Sequence, residues 1–128
     1  MALEPEKKDI SYQYGRLLAV FEKIERDTYD SGEKREPNAI RLQVAFSKQP
    51  LAISCTLWEQ LDTAYLPKIK SLKKRAEYRR LYTEIGGRIA EFPDFEQNRP
   101  LKHSYFIGYC LQRNALYESD INNSQEDR

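Results

Sequence analysis

The sequence predicts an all-α fold, a compact bundle of about four long helices plus a short one. Apolar residues recur at helical spacing in four separate stretches. All 6 prolines fall at the joints between those stretches or at the chain's start, where a missing amide is tolerated. Hydrophobic residues make up 40% and charged residues 32% of 128, a mix that favours a folded, helix-rich chain over a disordered one. The length suits one domain with a real core. The expected division is an extended lead-in over 1–9, a single helical domain over 10–117 and a disordered acidic tail over 118–128.

The first helix is expected from Ile10 to about Tyr29, with Ile10, Tyr14, Leu17, Leu18, Phe21 and Ile24 on its inner face. Arg16, Lys23 and Arg26 then share an outer stripe, which reads either as a solvated face or as a patch for phosphates. Gly15, inside this helix, costs about 1 kcal/mol relative to Ala, and a close helix–helix approach would justify it. After a charged loop, Asn38 is expected to cap a short helix to about Phe46, with Ile40, Val44 and Phe46 inward. A third helix runs from the low fifties to Leu66 and buries Ile53, Leu57, Trp58, Leu61 and Tyr65; Pro67 ends or bends it. The fourth spans about Arg75 to Phe92, with Tyr78, Leu81, Tyr82, Ile85, Ile89 and Phe92 inward and Gly86-Gly87 a kink or a packing contact. A loop from Pro93 to Pro100 leads to the last helix, Leu101 to Tyr117. That helix is apolar nearly all round, so it is either central in the bundle or covered by a partner.

Charge is unevenly spread. The chain's 21 basic and 20 acidic residues nearly cancel. Yet the thirteen positions from Lys68 to Arg80 hold Lys68, Lys70, Lys73, Lys74, Arg75, Arg79 and Arg80 against a single acid, Glu77. Such a cluster attracts a phosphate backbone, which is a dense line of negative charge with counterions to release. It also reads as a solvated face or charged linker. Tyr65, Tyr78 and Tyr82 beside it could stack on bases or serve in the core.

Other classes find little support. No apolar run reaches membrane-span length and the first residues lack a signal-peptide pattern, so a cytoplasmic setting with no membrane is expected. Cys55 and Cys110 read as reduced core thiols. The single histidine, His103, lies two turns from Cys110, about 10 Å away and beyond hydrogen-bond reach. No phosphate-binding glycine loop or metal-ligand spacing is present, so the reading is a non-enzyme without cofactor or metal.

Two segments are more specific, Ile10 to Ile24 and Ser104 to Tyr117. They resemble the opening and closing helices of the C-terminal region of the CRISPR-associated large subunit of subtype I-C, which read like Y-x-x-G-R-L-x-A-V-x-E and F-x-x-G-Y-x-x-Q-R. Gly15-Arg16-Leu17, Ala19-Val20, Glu22, Gly108-Tyr109 and Gln112-Arg113 match as they stand. With Met1 just ahead of the first helix, the chain looks like the separately made small subunit of that family. The resemblance implies a non-catalytic helical component of a type I surveillance complex (Cascade). Its partners would be the crRNA-bound backbone and large subunits, target DNA (chiefly the displaced non-target strand) and another copy of itself. The family's charged surface is not a fixed motif, so the DNA-contacting candidates rest on charge clustering: Lys68, Lys70, Lys73, Lys74, Arg75, Arg79 and Arg80, helped by Arg16, Lys23 and Arg26. Arg113, interrupting an apolar helix, reads as structural. The alternative is a helical interaction module whose basic end docks an acidic partner without nucleic acid.

Overall fold

Asp9, in extended conformation, accepts a hydrogen bond from the Tyr12 amide at 3.2 Å and so starts α1 (Ile10–Asp27). The computed structural model describes residues 1–126, the side chains as far as Asn122. Every residue of α1 from Ser11 to Glu25 is buried, so this helix is the axis on which the others are laid. It packs chiefly on the last helix, then on the long helix before it, and touches two of the shorter ones. The remaining helices are α2 (Asn38–Arg41), α3 (Gln43–Lys48), α4 (Pro50–Gln60), α5 (Leu72–Ala90) and α6 (Ser104–Glu126). There is no strand among the described residues, and the fold is all-α with four long helices. No described helix is long and apolar enough to cross a membrane.

The core forms as the spacing predicts. Leu17, Leu18, Phe21 and Ile24 of α1 meet Phe46, Leu57, Leu61, Tyr82, Ile85 and Ile89. The α1–α6 crossing is set by two glycines. A Cβ on Gly15 would lie 1.9 Å from the Tyr105 carbonyl oxygen, and one on Gly108 would lie 2.2 Å from that of Tyr12. Both obstacles are backbone, which cannot swing aside. Gly86 fills the same role on a smaller scale against the Trp58 ring, whereas Gly87 faces open space.

Pro67 acts through the turn before it. It has no N–H for the carbonyl four residues back and its ring crowds that carbonyl, and the helix relaxes into a π turn (Leu61–Tyr65) and a 3-10 turn (Leu66–Lys68). Ser71 then accepts from the Lys74 amide at 3.2 Å and starts α5 three residues earlier than expected. Asn98, at φ 53°, is a left-handed residue whose side chain accepts from the Leu51 and Ala52 amides at 2.8 and 3.3 Å, capping α4 from across the bundle.

Several expectations need correcting. The short helix is two pieces, and Asn38 does not cap it: its amide donates to the Glu25 carboxylate at 3.1 Å. Val44 is 68% exposed, because the break between α2 and α3 rotates it outward. Cys55 is exposed on α4 rather than in the core. Of the two readings of α6, the central position falls instead to α1, which is buried all round; α6 shows Phe106, Ile107, Tyr117 and Ile121 on its surface. Finally, α6 does not stop at Tyr117 but continues to Glu126, where a disordered tail was expected. Asp120 explains the extension by accepting ion pairs from Lys23 at 2.5 Å and Lys74 at 3.2 Å. Residues 127–128 of that expected tail lie outside the described residues.

Candidate nucleic-acid interface

The structure sorts the ten candidate cations into three groups. Arg16 and Lys23 belong to the interior, and their assignment as phosphate contacts is withdrawn. Arg16 is 1% exposed. Its Nε donates to Gln112 Oε1 at 2.9 Å, and its Nη1 to Gln13 Oε1 at 2.8 Å and to the Pro5 carbonyl at 2.9 Å. Burial lowers its pKa, with the Arg88 charge adding to the effect and Glu84 opposing it. Lys23 donates to Asp27 at 2.6 Å and Asp120 at 2.5 Å, with Tyr78 Oη at 3.4 Å. Arg26 is exposed, but it lies beside Glu22 at 3.4 Å, away from the basic cluster in sequence. Arg16 and Lys23 are therefore polar because they face polar partners, and only Arg26 of that stripe faces water.

The second group builds the platform. Lys74 bridges Asp27 at 3.1 Å and Asp120 at 3.2 Å. Burial alone would lower its pKa, but the two carboxylates outweigh burial and the net shift is upward. The same balance holds the Asp120 carboxyl below its ordinary value, since Lys23 and Lys74 outweigh its partial burial. Tyr78 adds a hydroxyl hydrogen bond to Asp27, and burial followed by that bond pushes its pKa upward. Two cations and two anions thus tie α1, α5 and α6 together. Arg75 reaches back to the carbonyls of Ile69, at 2.6 Å, and Pro67, at 3.0 Å, stapling the linker onto the start of α5.

The third group stands on that platform. Lys68, Lys70, Lys73, Arg79 and Arg80 are exposed, and none has an ion-pair partner among the described residues. Lys68 and Lys70 leave from the stapled linker, Lys73 from the first turn of α5. Lys73 and Arg80 are seven residues apart, so they align along the face of α5 opposite Tyr78 and Ile85, about 10 Å from each other. Arg79 sits on the flank and approaches the Tyr82 hydroxyl. Placing Lys73, Lys74 and Arg75 in a helix's first turn opposes its macrodipole, at roughly 0.3–1 kcal/mol per exposed charge. Two of the three are compensated by carboxylates or carbonyls; Lys73 is not. The amide-rich helix start and the free lysines together form a positive surface suited to anions.

The tyrosines are not part of that surface. Tyr78 and Tyr82 are buried, their hydroxyls donating to Asp27 and Asp62. Tyr65 is half-buried, its hydroxyl accepting from Asn38 at 3.0 Å, with Lys68 5.7 Å from its ring centre. Sequence reasoning missed the carboxylates that decide which cations are free. Asp27 could have been found one turn after Lys23; Asp120 could not, since its partners are remote in the chain. The matched end-helix residues are also structural. Gly15 and Gly108 set the α1–α6 crossing, Arg16 meets Gln112, and Glu22 receives the Tyr109 hydroxyl at 2.5 Å with Arg113 at 3.9 Å.

The fold and its surface define a small helical scaffold with a cationic platform at one end. Residues 1–117 match the model of a family described as CRISPR-associated protein (Cas_Csd1), and the chain belongs to that CRISPR-associated family. No curated protein matches it.

Proposed function

We propose that the chain is a non-catalytic small subunit of a subtype I-C CRISPR surveillance complex that holds target DNA by its backbone. The observation that carries this reading is the set Lys68, Lys70, Lys73, Arg79 and Arg80, exposed and without carboxylate partners among the described residues, while the neighbouring Lys74 and Arg75 are consumed in building the platform. Family membership supports the setting, and the resemblance of both end helices to the subtype I-C large subunit supports the finer assignment. The five exposed cations present charge on long, flexible side chains rather than a fixed array of donors and acceptors, which favours sequence-independent contact with phosphates. A displaced single strand, flexible enough to follow a short curved surface, is the fitting ligand. The apolar residues that α6 exposes, among them Phe106 and Ile121, suit contact with the complex's protein subunits or a second copy of the chain.

The test is a salt titration of single-stranded DNA binding. If all five side chains neutralise phosphates, log Kobs falls against log[salt] with a slope of about −3.5. Charge reversal at Lys73 and Arg80 should flatten it by about 1.4, with helicity unchanged. An unchanged slope removes α5 from the interface.

A further inference from the structure

α4 and the C-terminal half of α5 leave an open groove between them of about 510 Å³. Leu51, Trp58, Ile89, Ala90 and Phe95 make its surface chiefly apolar. The volume falls within the range of small-molecule and side-chain sites, about 300–1,000 Å³. The DNA-retention reading makes no use of it.

Two observations say what would enter. Tyr14 lines the groove and is 2% exposed, yet its hydroxyl has no hydrogen-bond partner among the described residues. A buried donor left unmatched costs free energy that an arriving acceptor returns. Burial, reinforced by the nearby Cys55, pushes its pKa up to about 12, so at neutral pH it remains a donor. The charged residues on the lining, Glu59 and Asp62, are both acidic. Asp62 accepts from the Tyr82 hydroxyl, which Arg79 approaches, whereas Glu59 is exposed and has no ion-pair partner among the described residues. Acids on the rim repel a nucleic-acid backbone and favour a cationic visitor.

We infer that the α4–α5 groove docks a segment of a partner protein that inserts an apolar side chain flanked by lysine or arginine, with a carbonyl accepting from Tyr14. The apolar anchor covers Trp58 and Phe95, the basic flank meets Glu59, and the carbonyl supplies the bond that Tyr14 lacks. None of the five exposed platform cations lines this groove, and its use goes beyond the DNA-retention reading, so its test uses no DNA.

Two reporters stand in the groove, the exposed Cys55 thiol and the chain's single tryptophan, Trp58. The probes are the peptide Ac-Gly-Arg-Leu-Phe-Arg-Gly-NH2 and its counterpart with both arginines replaced by glutamate. The basic peptide should slow Cys55 alkylation and shift Trp58 emission saturably, binding at least tenfold tighter than the acidic one. Glu59→Lys and the groove-filling Ala90→Phe should each weaken it at least fivefold, and Tyr14→Phe at least threefold. Glu59 and Ala90 are exposed, so circular dichroism should show both variants folded. Equal binding of the two peptides, no shielding of Cys55 at millimolar peptide, or full binding by folded Ala90→Phe would overturn the inference.

Discussion

Gly15→Ala and Gly87→Ala replace the same residue type within long helices, and the structure assigns them opposite signs. In a helix with free space, Ala is better than Gly by roughly 1 kcal/mol. Gly87 meets that condition, since a Cβ there has nothing within 4 Å. At Gly15 the new methyl would sit 1.9 Å from the Tyr105 carbonyl oxygen and 2.8 Å from the Tyr109 nitrogen. Relief requires α1 and α6 to separate by more than an ångström, and overpacking of this kind costs about 1–3 kcal/mol. The same movement lengthens the 2.9 Å bond from Arg16 to Gln112 at the core of the crossing, and weakening a buried hydrogen bond to a charged group costs about 1.5–3 kcal/mol more. After subtracting the propensity gain, Gly15→Ala should destabilise by roughly 1.5–5 kcal/mol. Urea denaturation followed by Trp58 fluorescence would move the midpoint down by about 0.8–2.5 M for Gly15→Ala and up by about 0.5 M for Gly87→Ala, at a slope of about 2 kcal/mol per M. If the two variants shift in the same direction, the close crossing of α1 and α6 is wrong.

Further outcomes follow from the sorting of the cations. Arg16→Leu should destabilise by about 3 kcal/mol, because Gln112, Gln13 and the Pro5 carbonyl lose a buried charged partner; measured on folded protein, the salt slope of DNA binding should not change. Lys73→Gln should do the reverse, raising helix stability by about 0.3–1 kcal/mol through relief at the helix start while lowering DNA affinity, with a loss of thermal stability counting against it. The extended end of α6 should be acid-labile. Asp120 has its folded pKa depressed below 3.8, so its contribution is complete above that value and is lost as pH falls through the lower folded value. Amide exchange in residues 118–126 should accelerate in that acid range, and Asp120→Asn should accelerate it at neutral pH; protection equal to wild type in the variant would disconnect the extension from the Lys23–Lys74 pair.

Much of the fold was legible because helix periodicity reports burial directly. Leu17, Phe21, Tyr82, Ile85 and Ile89 are buried as their spacing requires, and Gly15 marks a close approach that its propensity cost alone would not justify. Periodicity fails where a polar residue faces a polar partner. Arg16 and Lys23 read as solvent-facing, yet Gln112, Asp27 and Asp120 take them inward. The α6 extension was hidden for a related reason: Glu118-Ser119-Asp120-Ile121-Asn122 has modest helix propensity, and its order comes from lysines on two other helices. The basic cluster was visible as composition. Which of its members are free was not, because the carboxylates that consume Lys74 come from α1 and α6.

The most direct test of DNA retention is permanganate footprinting of the non-target strand in a reconstituted subtype I-C complex, comparing the wild-type chain with one reversed at Lys68, Lys70, Lys73 and Arg80. The account predicts a stable open strand with the wild type and loss of that reactivity with the reversed chain, although the reversed chain still assembles. Equal footprints with both chains incorporated would contradict it.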